Sequence, residues 1–510
     1  MKNSPKLLLL ISLLFTGIFS ATTYWIGIKH SEMFSSEKSN KWSNIDIVLE
    51  HLANNYVDSL EIENLSENSI NNILKDLDPH SSYIPASQRQ RLNESLVGHF
   101  GGIGIRFMIY NDTLTVVDVI SGGPSESANI KKRDRIITID DENVAGVNLK
   151  NEDVLRKLKG IVGSAVKLSI LKPNKNIENK NIIRGSIPLK SVPAFTMLKN
   201  EIGYIKISSF SNSTDIEFKK ALNILIESGM KSMILDLRFN GGGYLHQAIN
   251  IADEFLKKNK LIVYTEGAHS KKRTFFSSSK GLFENGKLII LVNSSTASAS
   301  EIVSGAIQDN NRGIILGRRT FGKGLVQQPL LLPDSSELRI TTSRYYTPSG
   351  KCIQKPYGDS IDYDNDLFER IESGELTQID SLENNKFMGG ILPNIYSPID
   401  TSTYNDQVNE IIYTRNWRDF CFNYYEKYPI SNFENVKEFY HNFKVQNNEL
   451  KKYLEKINKD IELFDNKTIN DLEWGLKIEL SSYYYSDQSR YIISTFKDND
   501  VKKALLELEK

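Results

Sequence analysis

Lys287–Gln328, KLIILVNSSTASASEIVSGAIQDNNRGIILGRRTFGKGLVQQ, is the stretch on which the reading of this chain turns. Leu288 to Val292 is an unbroken apolar run of strand length, as expected of a strand buried on both faces. Small hydroxyl residues then lead into a helical pattern at Glu301, Ile302 and Ile307, and a second short strand is expected from Gly313 to Leu316. Strand, helix and strand in succession indicate an α/β core with helices against a mixed sheet. A serine cluster, Ser294, Ser295, Ser298 and Ser300, falls where strand gives way to helix. There the helix's unpaired N–H groups and the positive end of its dipole face any developing negative charge. Lys323 follows between Gly322 and Gly324, whose missing side chains let it approach a site closely.

A serine hydroxyl is a weak nucleophile until a base takes its proton. Lysine can be that base only when desolvation lowers its pKa from about 10.4 toward neutrality. The chain has seven histidines, and none falls in this stretch. Serines at such a junction also act as helix caps, and a lysine between glycines also serves as a solvated loop charge. What favours chemistry is the set of motifs around them. STASASEI (295–302), TFGKGLVQQ (320–328) and YYTPSGKCIQ (345–354) resemble the core motifs of the carboxyl-terminal processing peptidases, or tail-specific proteases, a serine peptidase family with a Ser/Lys dyad. The resemblance extends over roughly residues 70 to 395. It implies Ser298 as nucleophile, Lys323 as general base, and Gln327, one helical turn beyond, as the residue that orients the lysine. It implies no metal or organic cofactor.

Outward from this centre, SMILDLRFNGGG (232–243) reads as a buried strand ending in a glycine turn. Ligands gather at such strand ends, and acyl transfer needs two N–H donors aimed at an oxyanion. The family's arrangement maps onto the backbone of Gly242, with Gly243 the alternative, and Ala299. Arg238 and Asn240 are expected to hold the turn, and His246 to pack in the following helix. Helices are expected at Ser213–Ser228 and Tyr244–Phe255, and a strand in EIGYIKISSF (201–210).

Before the core, from Val97, the pattern changes to short alternating strands: GHFGGIGIRFMIY, TLTVVDVI, DRIITID and SAVKLSIL, with one helix at Glu152–Leu158. This resembles a PDZ domain, a small, partly open barrel in which a glycine loop receives a peptide's terminal carboxylate and the peptide adds as a strand. Gly101 to Gly104 would be the loop, so Gly102, Ile103 and Gly104 would meet the carboxylate while Ile105 begins the strand beside the peptide. Val154, Leu155 and Leu158 would line the pocket for its last side chain. Gly102 and Gly104 also suit a plain relief of strand crowding. Lys131-Lys132-Arg133 replaces the usual small turn before the Asp-Arg-Ile strand.

The fold class expected is therefore multidomain α/β: a mixed-sheet peptidase core with a PDZ-like β-barrel module and helical regions at both ends. The divisions are 1–30 signal anchor or signal peptide, 31–95 N-terminal helical region, 96–185 PDZ-like domain, 186–395 α/β serine peptidase core and 396–510 C-terminal helical domain. In the second, Ile45, Val48, Leu49, Leu52 and Tyr56 recur at helical spacing and suggest an amphipathic packing helix. That region ends in LDPHSSYIP (77–85), also similar to a family hallmark, where His80 is expected to support local turn hydrogen bonds. Gly358–Asn385, acidic and polar, reads as a surface excursion.

With 510 residues, 40% hydrophobic and 25% charged, the chain is ordinary globular material, and 63 basic against 63 acidic residues give no sign of a nucleic-acid partner. Lys2 and Lys6 followed by an uncharged run from Leu7 to Ile28 suit a membrane anchor, or alternatively a cleaved signal peptide. Either exports the body of the chain, and the expected location is the periplasmic side of the inner membrane. Cys352 and Cys421 lack metal-ligand spacing and read as independent thiols. Partners are protein or peptide C-termini as substrate and the membrane through the N-terminal segment, with a homo-oligomer or an adaptor protein left open. Two rival classes remain: a non-catalytic exported scaffold, and an esterase that recruits His80 or His246.

Overall fold

The computed structural model describes residues 43–358, 362–376, 389–401, 405–428 and 433–510. The anchor segment, 1–30, lies outside the described residues. Among the described residues no helix is long and apolar enough to cross a membrane. The chain divides into two compact units, Met1–Leu77 and Asp78–Lys510.

The first unit contributes α1 (Ser43–Asn55) and α2 (Ile62–Lys75). The helix expected from its apolar spacing forms, but its stripe is not a packing face: Ile45, Val48 and Tyr56 are exposed and Leu49 and Leu52 only half-buried. Periodicity specified the helix, and among the described residues its apolar face stays largely uncovered.

The second unit begins with β1 (Ser82–Ile84) and α3 (Ala86–Val97), then enters the PDZ module. Its strands are β2 (His99–Gly102), β3 (Ile105–Tyr110), β4 (Thr113–Val119), β5 (Arg135–Ile139), β6 (Glu142–Asn143), β7 (Ala165–Leu171), β8 (Ile177–Ile183) and β9 (Gly185–Pro188). Its helices are α4 (Pro124–Ser127) and α5 (Asn151–Leu158). The sheet order is β3-β4-β5-β7-β8, with β6 on β5 and a separate β2-β9 pair, so β3 forms an edge. Leu114, Ile136, Val154 and Leu168 are completely buried in its core. The buried Arg184 guanidinium donates to the carbonyls of Lys157, Leu158 and Ala165, fastening the end of α5 to β7.

The central α/β core is a six-stranded sheet in the order β10 (Ala194–Lys199), β11 (Ile202–Lys206), β12 (Ser232–Asp236), β15 (Lys287–Val292), β16 (Ile314–Gly317) and β19 (Ile395–Tyr396). All neighbours are parallel except β10 and β11. One face packs on α6 (Thr214–Glu227), α7 (Leu245–Asp253) and α8 (Ala299–Asp309), where Phe218, Leu222, Ile251, Val303 and Ile307 are fully buried. Beside it lies a second sheet of β1, β13 (Leu261–Gly267), β14 (Ser270–Phe276), β17 (Leu325–Leu331) and β18 (Glu337–Tyr346). A short helix, α9 (Asp366–Glu372), falls in the segment read as a surface excursion.

The C-terminal region supplies α10 (Asp406–Ile412), α11 (Arg415–Lys427), α12 (Val436–Asn442), α13 (Asn447–Lys456), α14 (Asn466–Tyr484), α15 (Asp487–Lys497) and α16 (Asn499–Glu509). Trp417, Phe439, Leu454 and Leu476 anchor an aromatic-rich core of its own. The last helix leaves that core: Val501, Ala504 and Leu508 cover the other face of the six-stranded sheet over Tyr204, Ile289 and Leu291. Its entry is locked by charge, since Arg238 pairs with Asp236 at the end of β12 and with Asp498 and Asp500 at the start of α16. Arg238 thus ties β12 to α16 as well as holding the turn.

Candidate active site

The site is assembled where β12 and β15 end. Ser298 is the N-cap of α8 with φ 56° and ψ −115°, a left-handed backbone rare for a residue with a side chain. The sharp turn leaves Ser298 half-buried while the flanking Ala297 and Ala299 are buried. Its neighbours are pinned: Ser300 Oγ donates to Asn240 O at 3.0 Å and Thr296 Oγ1 to Leu237 O at 3.0 Å. The two serine-cluster members Ser298 and Ser300 therefore part company, one open and one a structural tie to the glycine turn.

That turn lies directly against Ser298. A Cβ on Gly242 would stand 2.7 Å from Ser298 Cβ and 3.0 Å from Ala299 N, and its φ is +101°, so space and conformation both require glycine. Its N–H, however, donates to Asn240 Oδ1 at 2.9 Å. This corrects the expected oxyanion donor: the Gly242 N–H is engaged by the side chain that shapes the turn. Among the described residues the N–H groups of Gly243 and Ala299 have no acceptor, leaving Gly243, the alternative, and Ala299 as the free donors. Asn240 also donates to Ile207 O at 3.0 Å, so it holds the turn as expected.

Lys323 is half-buried, and its Nζ donates to Gln327 Oε1 at 3.0 Å. Gln327 is not a helical turn away. It lies on β17, where the pairing with β18 shifts register between Val326 and Gln327 and leaves Thr342 of β18 without a partner. Its amide nitrogen donates to the carbonyl of His80. Burial, followed by the nearby Arg339 charge, holds the Lys323 amine below the ordinary lysine range. Among the described residues no hydrogen bond joins that amine to the Ser298 hydroxyl.

What joins the two halves is Glu301, which sequence reading treated only as a helical residue. It is fully buried. Its Oε2 accepts the backbone N–H of Ser298 at 2.8 Å and that of Lys323 at 2.9 Å. Its Oε1 accepts from Gly322 N at 2.7 Å and from Thr320 Oγ1 at 2.5 Å. Thr320 Oγ1 itself accepts the Ile391 N–H at 2.6 Å, so its hydrogen is directed at Glu301. Burial pushes the Glu301 pKa up, while four donors favour the carboxylate. The detectable signal was the Ser-x-x-Glu capping pattern at Ser298–Glu301.

His80 was also undervalued. Besides the local bond from its N–H to Asp78 Oδ1 (2.8 Å), its ring Nε2 lies 2.8 Å from Tyr363 Oη and its carbonyl anchors Gln327. Burial and the neighbouring Lys323 charge push the imidazole down to about 4, so it is neutral near pH 7. His246 stacks on Tyr244 with ring centroids 5.3 Å apart. The supposed surface excursion is corrected as well. Arg370 is buried and donates to the carbonyls of Arg319, Thr320 and Phe321, while Arg319 pairs with buried Glu375 at 2.7 Å. Tyr363, Arg370 and Glu375 thus buttress the loop that carries Lys323. The remainder of that excursion, 359–361 and 377–385, lies outside the described residues.

At the PDZ module, Gly101 and Gly102 end β2 and pair with Ser186 and Gly185, Gly104 takes φ +78°, and Ile105 opens β3. Of the expected pocket residues, Val154 is fully buried and Leu158 nearly so within the domain core, whereas Leu155 is 43% exposed. Val154 therefore offers no exposed surface to an occupant, because it is taken up in the domain core.

A PDZ domain model matches residues 101–182 and a model of peptidase family S41 matches residues 201–365. The carboxy-terminal-processing protease of Bartonella bacilliformis is 36% identical over 314 residues, covering 60% of this chain and 71% of that relative. The carboxy-terminal processing protease CtpA of Bacillus subtilis is 31% identical over 359 residues, covering 70% of this chain and 76% of its own length. Among solved structures, a photosystem II D1 C-terminal processing protease aligns at 24% identity and TM-score 0.40, covering 71% of this chain and 88% of that one.

Proposed function

The chain belongs to peptidase family S41, the carboxy-terminal processing serine peptidases, and carries the family's PDZ domain ahead of its catalytic core; from that membership we propose an exported endopeptidase that captures protein C-termini and hydrolyses peptide bonds with a Ser298/Lys323 dyad. The observation that carries this reading is the shared acceptor Glu301 Oε2, which ties the main chains of Ser298 and Lys323 to one buried oxygen.

In the proposed reaction the neutral Lys323 amine removes the proton of Ser298 Oγ as that oxygen attacks the scissile carbonyl carbon. The N–H groups of Gly243 and Ala299 receive the oxyanion of the tetrahedral intermediate. The ammonium then protonates the leaving amine, and the C–N bond breaks to leave an acyl ester on Ser298. Water, deprotonated by the same amine, completes hydrolysis. Gln327 accepts from Nζ and is itself held by the His80 carbonyl, which fixes the direction of the lysine's lone pair. The His80 ring, bonded to Tyr363 Oη and made weakly basic by burial, supports a buttressing role over that of a base.

Tail capture is supported by the open β3 edge and by the left-handed Gly104 before it. Export and anchoring rest on the basic residues and uncharged run at 2–28. The test of capture is peptide binding to Ser298→Ala, comparing free-acid and C-terminally amidated forms of one apolar tail. Losing a charge-assisted hydrogen bond of about 1.5–3 kcal/mol should weaken binding roughly ten- to a hundredfold. Equal affinities would refute carboxylate capture.

A further inference from the structure

β3 is an edge strand whose two faces have different owners. Ile105, Phe107 and Ile109 pack into the PDZ core, whereas Met108 and Tyr110 pack against the C-terminal helical core. Arg106, on the same face as Met108, donates to Ser482 O at 2.8 Å and pairs with Asp487, and Tyr110 Oη bonds Asn423. The helical region therefore walls one side of β3 while its edge stays unpaired among the described residues.

A cavity of about 300 Å³ opens at the middle of that edge. It is bounded by residues 107–109 of β3, the approach to α5 at 149–151, and three side chains from the start of α11: Arg415, Arg418 and Asp419. Arg415 and Arg418 are exposed, and among the described residues neither has a carboxylate within 4.0 Å. Their position in the first turn of α11 runs against the helix dipole, a small standing cost that an acidic occupant would offset. Asp419 is half-buried and is the one carboxylate among these lining residues.

We infer that α11 completes the PDZ groove, with Arg415 and Arg418 reading an acidic side chain three residues before the end of the captured tail. The inference rests on the proposed capture of a tail by β3. A tail added antiparallel to β3, its carboxylate at Gly102–Gly104, turns alternate side chains to opposite faces. The last and the third-last face α5. The residue three before the last runs level with Met108, on the face walled by the helical region. Two arginines and Lys150 at this cavity outnumber the one carboxylate of Asp419, which selects a carboxylate over a cation there. The helical region thereby adds sequence preference to a module whose own pocket reads only the terminus.

The test uses the full chain carrying Ser298→Ala and fluorescent octapeptides with an apolar last residue. Glu at the position three before the last should bind about three- to fivefold tighter than Gln, the range of a partly exposed ion pair, and the gain should shrink with added salt. Glu at the third-last position, facing α5, should give no gain. In Arg415→Glu/Arg418→Glu the preference should invert toward Lys, and in Arg415→Gln/Arg418→Gln it should vanish. Equal binding of the Glu and Gln tails by the parent protein, with amidation still weakening both, overturns this subsite and leaves tail capture standing. A Glu preference that persists in Arg415→Glu/Arg418→Glu overturns its assignment to α11. If amidation has no effect, the capture reading itself falls.

Discussion

Glu301→Gln is a nearly isosteric change with a calculable effect. The native carboxylate accepts four hydrogen bonds: two at Oε2 from the main chains of Ser298 and Lys323, and two at Oε1 from Thr320 and Gly322. Glutamine keeps one acceptor oxygen and turns the other into a donor, so two native donors face an NH2 group in either amide orientation. Two hydrogen bonds to a charged group, each about 1.5–3 kcal/mol, give a total of about 3–6 kcal/mol. Because Glu301 is fully buried, water cannot take over as acceptor. The loss divides between stability and catalysis, since either the Lys323 loop or the Ser298 turn must move. A displacement of the Lys323 loop of even 1 Å costs on the order of a hundredfold in rate. The assay is kcat/KM on an unfolded protein with an apolar C-terminus, paired with urea unfolding of the same preparations. The expected result is a fall in kcat of at least a hundredfold in protein that remains folded, with a lower unfolding midpoint. Activity within threefold of wild type at unchanged stability would refute the coupling role of Glu301.

Other perturbations separate the remaining parts. Gly242→Ala should abolish cleavage, because its methyl would meet Ser298 Cβ at 2.7 Å in a conformation strained for alanine. kcat should rise with pH to a midpoint below that of an ordinary lysine, since burial depresses the Lys323 amine; a profile following free lysine would exclude a desolvated base. His80, neutral in the fold with its pKa pushed down to about 4, binds fewer protons than in the unfolded chain between that value and its ordinary 6.5. Stability should therefore fall as pH drops through this window, by roughly 1–2 kcal/mol after allowance for partial exposure, and level off below it. Urea titrations of wild type and His80→Asn at pH 7 and pH 5 check this, with a flatter response in the variant. Arg370→Ala should lower kcat more than it raises KM, because it releases three carbonyls of the Lys323 loop without touching the PDZ groove.

The catalytic sheet was legible because its strands are buried on both faces. Runs such as Leu288–Val292 carry no polar interruption, and their helices keep a clean 3.6-residue period. The Ser298 turn and the Lys323 loop stand out in the sequence as motifs of small residues. What escaped were groups whose role depends on distant partners. The i, i+4 spacing of Gln327 from Lys323 suggests one helical turn, whereas Gln327 lies on β17, and the register shift beside it, with Thr342 of β18 left over, has no sequence signature here. Arg370 and Glu375 sit in an acidic, polar stretch that composition assigns to solvent, yet each is buried against the loop of Arg319–Phe321. Val154 and Leu155 are both apolar, and only the fold decides which of them turns inward. The last helix shows the same limit: nothing in Val501, Ala504 and Leu508 names the catalytic sheet rather than the neighbouring helices as their cover.

The dyad is tested most directly by digesting one unfolded, apolar-tailed protein with wild type, Ser298→Ala, Lys323→Ala and His80→Ala, each shown to be folded. The expected result is cleavage by wild type, none by Ser298→Ala or Lys323→Ala, and a rate about tenfold reduced in His80→Ala, which loses the ring's bond to Tyr363 but keeps the carbonyl that holds Gln327. Substantial cleavage by Lys323→Ala together with none by His80→Ala would contradict a lysine base and place histidine in its role.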